Sequence, residues 1–424
     1  MKANDIVIVS AVRTPFGRFD GALKSILSMD LGVLALKEVV NRISLDPGQV
    51  DEVYYGTCIP AEYAIYTNVP ARQITLLAGF PETNISLTID RACCSSMTAI
   101  RLGCRAIKSG DAEVVIASGA ENMGNTPLIA SATKARWGVR LGPIELEDVL
   151  YELGYGRKGF APVAKDAGFV AEEFGVTRQM QDEWALQSHE KYYNAFEEGK
   201  IKVGEELMQI EIPQKKAPIV LDRDESPRHN LRIEKLAALK TVYGSPTVTA
   251  GNAPGLNSGA SAMVLMSRRK AEALNLKPLA EIVACECGAG TPKYMACVPA
   301  ETIEKLFGKT KNTIDDMDLI EINEAFAAVT LVSLKMLAKK DQKKLEELKN
   351  KTNVNGGAIA IGHPVGASGA RITMTMMYEL MRRGGGNGVA AICGGLSQGE
   401  ALIIKVCGCR IWLLYSKKIN TSRG

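Results

Sequence analysis

Histidine is scarce in this chain: His189, His229 and His363 are the three in 424 residues. The ten cysteines offer no C-x2-C pair, only the C-x-C spacings Cys285/Cys287 and Cys407/Cys409. Too few ligands stand at the right intervals for a structural zinc site, so no metal is expected. Long apolar runs are also missing. None reaches the roughly 18 residues of a membrane span, and the first, Ile6 to Val9, is short and soon followed by Arg13. Neither a signal peptide nor a membrane partner is expected. A charge excess of one sign is lacking too. Lys plus Arg number 51 against 47 for Asp plus Glu, which gives no footing for a nucleic-acid partner. Free thiols in a cytoplasmic protein are the natural reading of the cysteines.

Hydrophobic residues make up 46% of the chain and charged residues 23%, a balance that suits a globular protein of two or three domains. The organising stretch is TIDRACCSSMTAI, residues 88–100. Thr88 and Ile89 end an apolar strand. From Met97 onward, Met97, Ile100, Cys104 and Ile107 recur at helical intervals. Cys93 therefore sits at a strand-to-helix corner, where free amide N–H groups stabilise an anion and lower a thiol pKa. That is a place for a nucleophile. The competing reading is a small core residue, since free cysteine is among the most buried types.

Along the chain, apolar strands at 6–9, 50–58 and 112–123 alternate with helical stretches at 30–43 and 67–78, which implies a parallel or mixed sheet covered on both faces. GAENM (119–123) reads as a glycine turn ending its strand. Residues 126–247 change character and read as an insertion or cap. Within them QDEWALQSHEKYYNAFEEGK (181–200) is an amphipathic helix on which His189 reads as a surface residue, and 222–230 is a loop. A core style returns at 247–267 and continues through 279–288, a helix near 299–308 and 317–338. KKDQKKLEELKN (339–350) reads as an exposed charged face or loop. The closing segment then echoes the opening one: 24 residues separate Ser95 from Gly119, and 25 separate Ser368 from Cys393. Each interval holds a helix, a glycine and an apolar strand. A duplicated αβ half with a site at the junction follows.

Seven motifs carry a resemblance over residues 5–406: RTPFG (13–17), RACCSS (91–96), GAENM (119–123), TAGNAPGLNSGASA (249–262), NEAFA (323–327), NGGAIAIGHPVGASGAR (355–371) and CGG (393–395). In this order they resemble the thiolase family, of the acetyl-CoA C-acetyltransferase or 3-ketoacyl-CoA thiolase kind. The resemblance implies an α/β thiolase fold of two duplicated αβα halves forming a five-layered αβαβα core, with an inserted loop domain. On it, 1–125 is the N-terminal half, completed by 248–272; 126–247 is the insertion; 273–407 is the C-terminal half; and 408–424 is a tail.

It also implies an acyltransferase that joins two acetyl-CoA into acetoacetyl-CoA plus CoA, or runs the reverse thiolysis, with longer or functionalised 3-ketoacyl chains as the alternative. Cys93 takes the place of the acyl-carrying nucleophile, His363 of its base, and Cys393 of the base at the α-carbon. Asn323 takes the place of the residue holding a water against the enolate. Backbone N–H groups of Cys93 and Gly395 form the oxyanion hole for the acyl carbonyl. Arg228, Leu239, Ala250, Ala325 and Phe326 match coenzyme A contacts, and Lys235 stands where the family has serine. Coenzyme A thioesters are the substrates; no cofactor is implied, and the assembly expected is a homodimer or homotetramer.

Several positions depart from the family pattern. Asp90 stands for asparagine, Ser96 and Leu396–Ser397 for glycines, and Pro254 for serine. Pro162 and Val163 replace the histidine and methionine that line a short acyl pocket, which opens the question of chain length. A decarboxylating ketosynthase is disfavoured because it pairs its cysteine with two histidines. A silent acyl-binding scaffold is disfavoured by the presence of Cys93, His363 and Cys393 together.

Overall fold

The computed structural model describes residues 5–151, 159–215 and 217–408; apart from Gly408, the proposed tail lies outside the described residues. The central strands Ile6–Arg13, Val114–Asn122 and Asn257–Ser267 are fully buried runs rich in Val, Ile and Ala, as expected where both faces of a sheet are covered. In the first half the strand order is Ile85–Ile89, Glu52–Gly56, Val114–Asn122, Asn257–Ser267, Ile6–Arg13. The first three are parallel and the last two antiparallel. The second half repeats the scheme: Leu319–Ile322 lies parallel to Gly386–Gly394, which Gln398–Val406 and Ala280–Ala289 extend antiparallel. The two half-sheets touch edge to edge where Ile6–Ile8 pairs with Ala280–Ile282.

Between the halves lie the helices Ser95–Ser109 and Ser368–Arg382. Met97, Ile100 and Cys104 of the first and Ile372, Met376 and Leu380 of the second share one buried cluster with Val115 and Leu265 below and Ile392 and Leu402 above. The helix Ser28–Asn41 covers the outer face of the first sheet. Val298–Thr310 and Ala327–Leu337 cover the outer face of the second. Layers therefore run helix, sheet, helix pair, sheet, helix. The two central helices cross at Gly369, where a Cβ would stand 2.5 Å from the backbone N of Met97.

The inserted block supplies the helices Val163–Glu173 and Arg178–Glu197, the latter capped by the Thr177 hydroxyl, which accepts from Met180 N. A short hairpin pairs Ile210–Ile212 with Ile219–Leu221. Buried Arg13 ties the block to the first strand through Glu206 and Asp224. Among the described residues no helix is long and apolar enough to cross a membrane.

Two sequence expectations are corrected here. The strand at 114 does not turn at Gly119 but runs to Asn122; Gly119 is there because a Cβ would sit 2.2 Å from the carbonyl oxygen of Gly366. The charged stretch at 339–350 is largely helix, Gln342–Lys351, capped by the Asp341 carboxylate and anchored by buried Leu345 and Leu348.

Candidate active site

The chain reaches Cys93 through a tight corner. Ala92, just before it, has φ +47°, a left-handed conformation that a side chain resists. The corner is held by Ser95, whose hydroxyl accepts from Arg91 N and lies within hydrogen-bonding distance of the carbonyl oxygens of Ala92 and Thr57. Cys94 precedes the helix, so Cys93 sits one residue before its cap.

Opposite lies His363. Its Nε2 is 3.2 Å from Cys93 Sγ, and its Nδ1 is 2.6 Å from Ser368 Oγ. The Ser368 hydroxyl gives its single proton to Pro364 O at 2.8 Å, so it accepts from Nδ1–H. That leaves Nε2 as an acceptor facing the thiol, the tautomer a base requires. Asn257 fixes the backbone: its Oδ1 accepts from His363 N at 2.9 Å, and its Nδ2 donates to Gly17 O and Ser226 Oγ. Gly362, at φ +113°, passes so close to the Asn257 amide that a Cβ would meet it at 2.8 Å.

Burial, assisted by the charge of Arg371, pushes His363 down to about 3, so the imidazole is neutral. Burial and the neighbouring Cys393 thiol push Cys93 well above the ordinary thiol value. That direction is opposite to the helix-terminus effect expected from sequence, and it describes the pair as neutral thiol plus neutral imidazole. Cys393 is fully buried on the strand Gly386–Gly394, and burial lifts it to about 12.

Around Cys93 and His363 an apolar pocket of about 140 Å³ is lined by Cys58, Met123, Val163, Met295, Ala325 and Phe326, with Gly394 and Gly395 on one wall. Val163 reaches it; Pro162 instead caps the helix that begins at Val163. At Gly255 and Leu256 the pocket adjoins a larger cavity of about 450 Å³ lined by Arg18, His189, Arg228 and Ala250. At Cys58, Ala92 and Gly395 it adjoins a third of about 400 Å³, lined by Ile59, Asp90, Arg91 and Gln398. Asn323 and Cys393 are fully buried and do not line the pocket, although Gly394, next to Cys393, does. Asn323 Oδ1 accepts from Arg371, and its Nδ2 has no hydrogen-bond partner among the described residues.

The family models for the thiolase N-terminal domain and the thiolase C-terminal domain match residues 6–269 and 276–406. The chain belongs to the thiolase family. It is 39% identical over 407 residues to the acetyl-CoA acetyltransferase of Syntrophomonas wolfei, covering 95% of this chain and 99% of that one. Similarity to the Escherichia coli acetyl-CoA acetyltransferase is also 39%, covering 94% and 98%. Among solved structures, the acetyl-CoA acetyltransferase of Bacillus anthracis superposes with a TM-score of 0.87 at 40% identity, covering 95% and 98%. The human mitochondrial 3-ketoacyl-CoA thiolase in complex with CoA gives 0.87 at 36% identity, covering 96% and 99%.

On this thiolase scaffold the expected coenzyme A contacts separate. Arg228 and Ala250 line the larger cavity, and Ala325 and Phe326 line the acyl pocket. Leu239 packs against Gly251 behind the cavity wall. Lys235 is exposed on the short helix Ile233–Ala237 and lines neither. His189 is a correction. It is 4% exposed, accepts from Arg228 N through Nδ1 at 3.1 Å, and is held down to about 4, mainly by burial. The helix is polar in pattern, but the 222–230 loop folds over the face that carries His189.

Three further residues hold the site, Ser368, Asn257 and Glu121. The Glu121 carboxylate accepts from Thr57 Oγ1, Cys58 N, Ile59 N and Gly366 N, joining the acyl-pocket wall to the histidine loop. Their signals were present as the AS of GHPVGAS, the NS of GLNSG and the E of GAENM.

Proposed function

We propose that the chain condenses two acetyl-CoA to acetoacetyl-CoA and CoA, and catalyses the reverse thiolysis, through an acetyl group carried on Cys93. The observation that carries this is the Cys93 thiol 3.2 Å from an imidazole whose tautomer is set by Ser368, at the floor of an apolar pocket. His363 takes the thiol proton as Cys93 attacks the thioester carbonyl. Backbone N–H groups of Cys93 and Gly395 receive the oxyanion. The C–S bond to CoA breaks, and Cys393, neutral in its buried site, protonates the departing thiolate.

Cys393, now a thiolate, takes a proton from the methyl of the second acetyl-CoA. The electron pair of that C–H bond moves onto the thioester oxygen, which His363 and a water held by Asn323 stabilise. The enolate carbon joins the acyl carbon, and Cys93 leaves and regains its proton from His363. Arg228 and Ala250 contact coenzyme A in the larger cavity that they line. Leu239 and Lys235 belong to this reading as outer contacts, and Ala325 and Phe326 flank the thioester. Labelled acetyl-CoA tests the reading: the label should survive on a Cys93 peptide and be released by CoA. A labelled protein with the acetyl group elsewhere overturns it.

Longer or functionalised 3-ketoacyl chains form a second reading. It is supported by the 400 Å³ cavity that meets the acyl pocket at Cys58, Ala92 and Gly395, and by Val163 on the pocket wall. Thiolysis rates across chain lengths test it; no measurable six-carbon turnover removes it. We further infer a homodimer or homotetramer. The edge strand Ile85–Ile89 leaves Ile85 62% and Leu87 47% exposed beside exposed Leu76 and Leu77, an apolar edge that favours cover by another chain. Cys58, Cys93, Cys94, Cys104, Cys285, Cys287, Cys297 and Cys393 are free thiols, which favours a reducing, cytoplasmic setting; acyl-CoA substrates would give the chain a place in fatty acid metabolism.

A further inference from the structure

Arg371 is a buried charge that neither half-reaction has yet used. It lies in the first turn of the helix Ser368–Arg382, three residues beyond the serine that orients His363, and is 0% exposed. A comparison with Arg13, equally buried, shows what is unusual. Arg13 is satisfied by two carboxylates and a carbonyl oxygen: Nε and Nη2 donate to Glu206, Nη1 and Nη2 to Asp224, and Nη1 to Thr14 O. Arg371 is not. Its Nη2 donates to Asn323 Oδ1 at 3.4 Å, while Nε and Nη1 have no hydrogen-bond partner among the described residues. The carboxyl nearest to it, Glu321, has Oε2 3.6 Å from Nη1, and that oxygen too has no hydrogen-bond partner. Burial pushes the Glu321 carboxyl up while Arg371 draws it down, and Glu206 and Glu324 add negative charge without bonding to the guanidinium.

Buried cations are ordinarily paired, because an uncompensated one is expensive. Here a guanidinium with spare donors sits against the amide of Asn323, whose own Nδ2 is a third unpartnered donor. Oδ1 turned toward Arg371 leaves Nδ2 directed away from it. The arrangement favours negative charge arising next to Asn323.

We propose that Arg371 is the positioning residue of the enolate step: it fixes the Asn323 amide through Oδ1, and its positive charge beside that amide favours the enolate oxygen over the neutral thioester. The inference rests on the reading above in which Asn323 serves the enolate. In that step the α-C–H bond breaks, the proton passes to the Cys393 sulfur, and the electron pair ends on the thioester oxygen. Arg371 gains and loses no proton. The same charge acts on His363, where it adds to burial in keeping the imidazole neutral.

Two exchange rates on the full-length protein separate this role from a structural one. Deuterium uptake at the acetyl methyl of acetyl-CoA in D2O reads the enolate step, and exchange of labelled CoA into acetyl-CoA reads acyl transfer. Arg371→Met is expected to lower uptake by a factor on the order of 10²–10³, the usual effect of losing an oxyanion-stabilising group, while CoA exchange falls by much less. Arg371→Lys keeps the charge but not the fork, and is expected to restore part of the uptake. If the methionine variant does not fold, the lysine variant alone should still show uptake falling more than exchange. Equal losses in both rates, or an unchanged ratio in the lysine variant, overturn the proposal. Asn323→Ala is measured alongside. If it leaves uptake intact, the reading of the enolate site itself fails; if it abolishes uptake while both Arg371 variants keep the wild-type ratio, only the role of Arg371 fails.

Discussion

Ser95 and Ser368 stand at the first position of the two central helices, and their hydroxyls make different bonds. Ser95 accepts from Arg91 N and reaches the carbonyl oxygens of Ala92 and Thr57, so it braces the corner that presents Cys93. Ser368 bonds to Pro364 O and to the ring of His363. The strands that follow the two helices differ in the same way. Val114–Asn122 carries Glu121 at its end, a clamp on two loops, whereas Gly386–Gly394 carries Cys393, a thiol. A duplicated scaffold has been loaded unequally. On the proposed reading, the first half supplies the acyl carrier and the framework around it, and the second supplies the proton-handling groups. The site exists where the two helix starts face each other across the junction.

The sharpest break in that division comes from the two cysteines. Cys93→Ala should abolish condensation, thiolysis and exchange of labelled CoA into acetyl-CoA. Cys393→Ala should still form acetyl-enzyme and support slower CoA exchange, with the imidazolium protonating CoA in its place. Deuterium uptake at the acetyl methyl should fall by a factor on the order of 10²–10⁴. The reverse pattern would exchange the roles of the two halves.

A smaller effect distinguishes the serines. Ser368→Ala frees the histidine ring and should slow CoA exchange about tenfold, the worth of one hydrogen bond to a group that becomes charged. Ser95→Ala should show mainly as a lowered melting temperature, with CoA exchange less affected than in the Ser368 variant. Equal kinetic losses would show that both hydroxyls act on proton transfer.

Acid stability is a third measure. His363 and His189 are held near 3 and 4 when folded, below the ordinary value of about 6.5. The unfolded chain therefore binds more protons in that window, and stability is lost as pH falls from about 6.5 toward those values. Between pH 7 and 5 the melting temperature of His363→Gln should drop less than that of the unmodified chain. An equal drop would show that His363 does not contribute.

The smallest effect is expected at Leu396 and Ser397, which take φ +56° and +61° where the family has glycine. Leu396→Gly should raise stability by about 1 kcal/mol by removing a side chain from a left-handed residue; chemical denaturation reads this directly.

Much of this is legible in the sequence, and the exceptions have physical reasons. The strand-to-helix corner at Cys93 and the echo between residues 95–119 and 368–393 follow from periodicity and composition, which are local properties. His189 reads as exposed because most residues of its helix are polar, yet the side that bears it is covered by the 222–230 loop, which is distant in sequence. Gly119 reads as a turn because glycine usually marks one; here it gives room to the carbonyl oxygen of Gly366, from the other half of the chain. The roles of Ser368 and Asn257 depend on which atom a hydroxyl or amide meets in space, and no spacing rule encodes that. A helix end acidifies a thiol in isolation; how much solvent the walls around Cys93 exclude appears only once they are assembled.

The strand Asn257–Ser267 lies between Ile6–Arg13 and Val114–Asn122 and pairs with both. During synthesis, the N-terminal half emerges long before this strand does. Both neighbours wait, with apolar faces and open edges, while the whole stretch from Met123 to Leu256 is made. At about 5–20 residues per second that delay is on the order of ten seconds, long compared with hydrophobic collapse. A ribosome-bound fragment ending near residue 240 should therefore be sticky and protease-sensitive, and one ending well beyond residue 267 should be protected. The insertion that supplies His189 and Arg228 to the larger cavity thus also sets a window in which the nascent first half stays open.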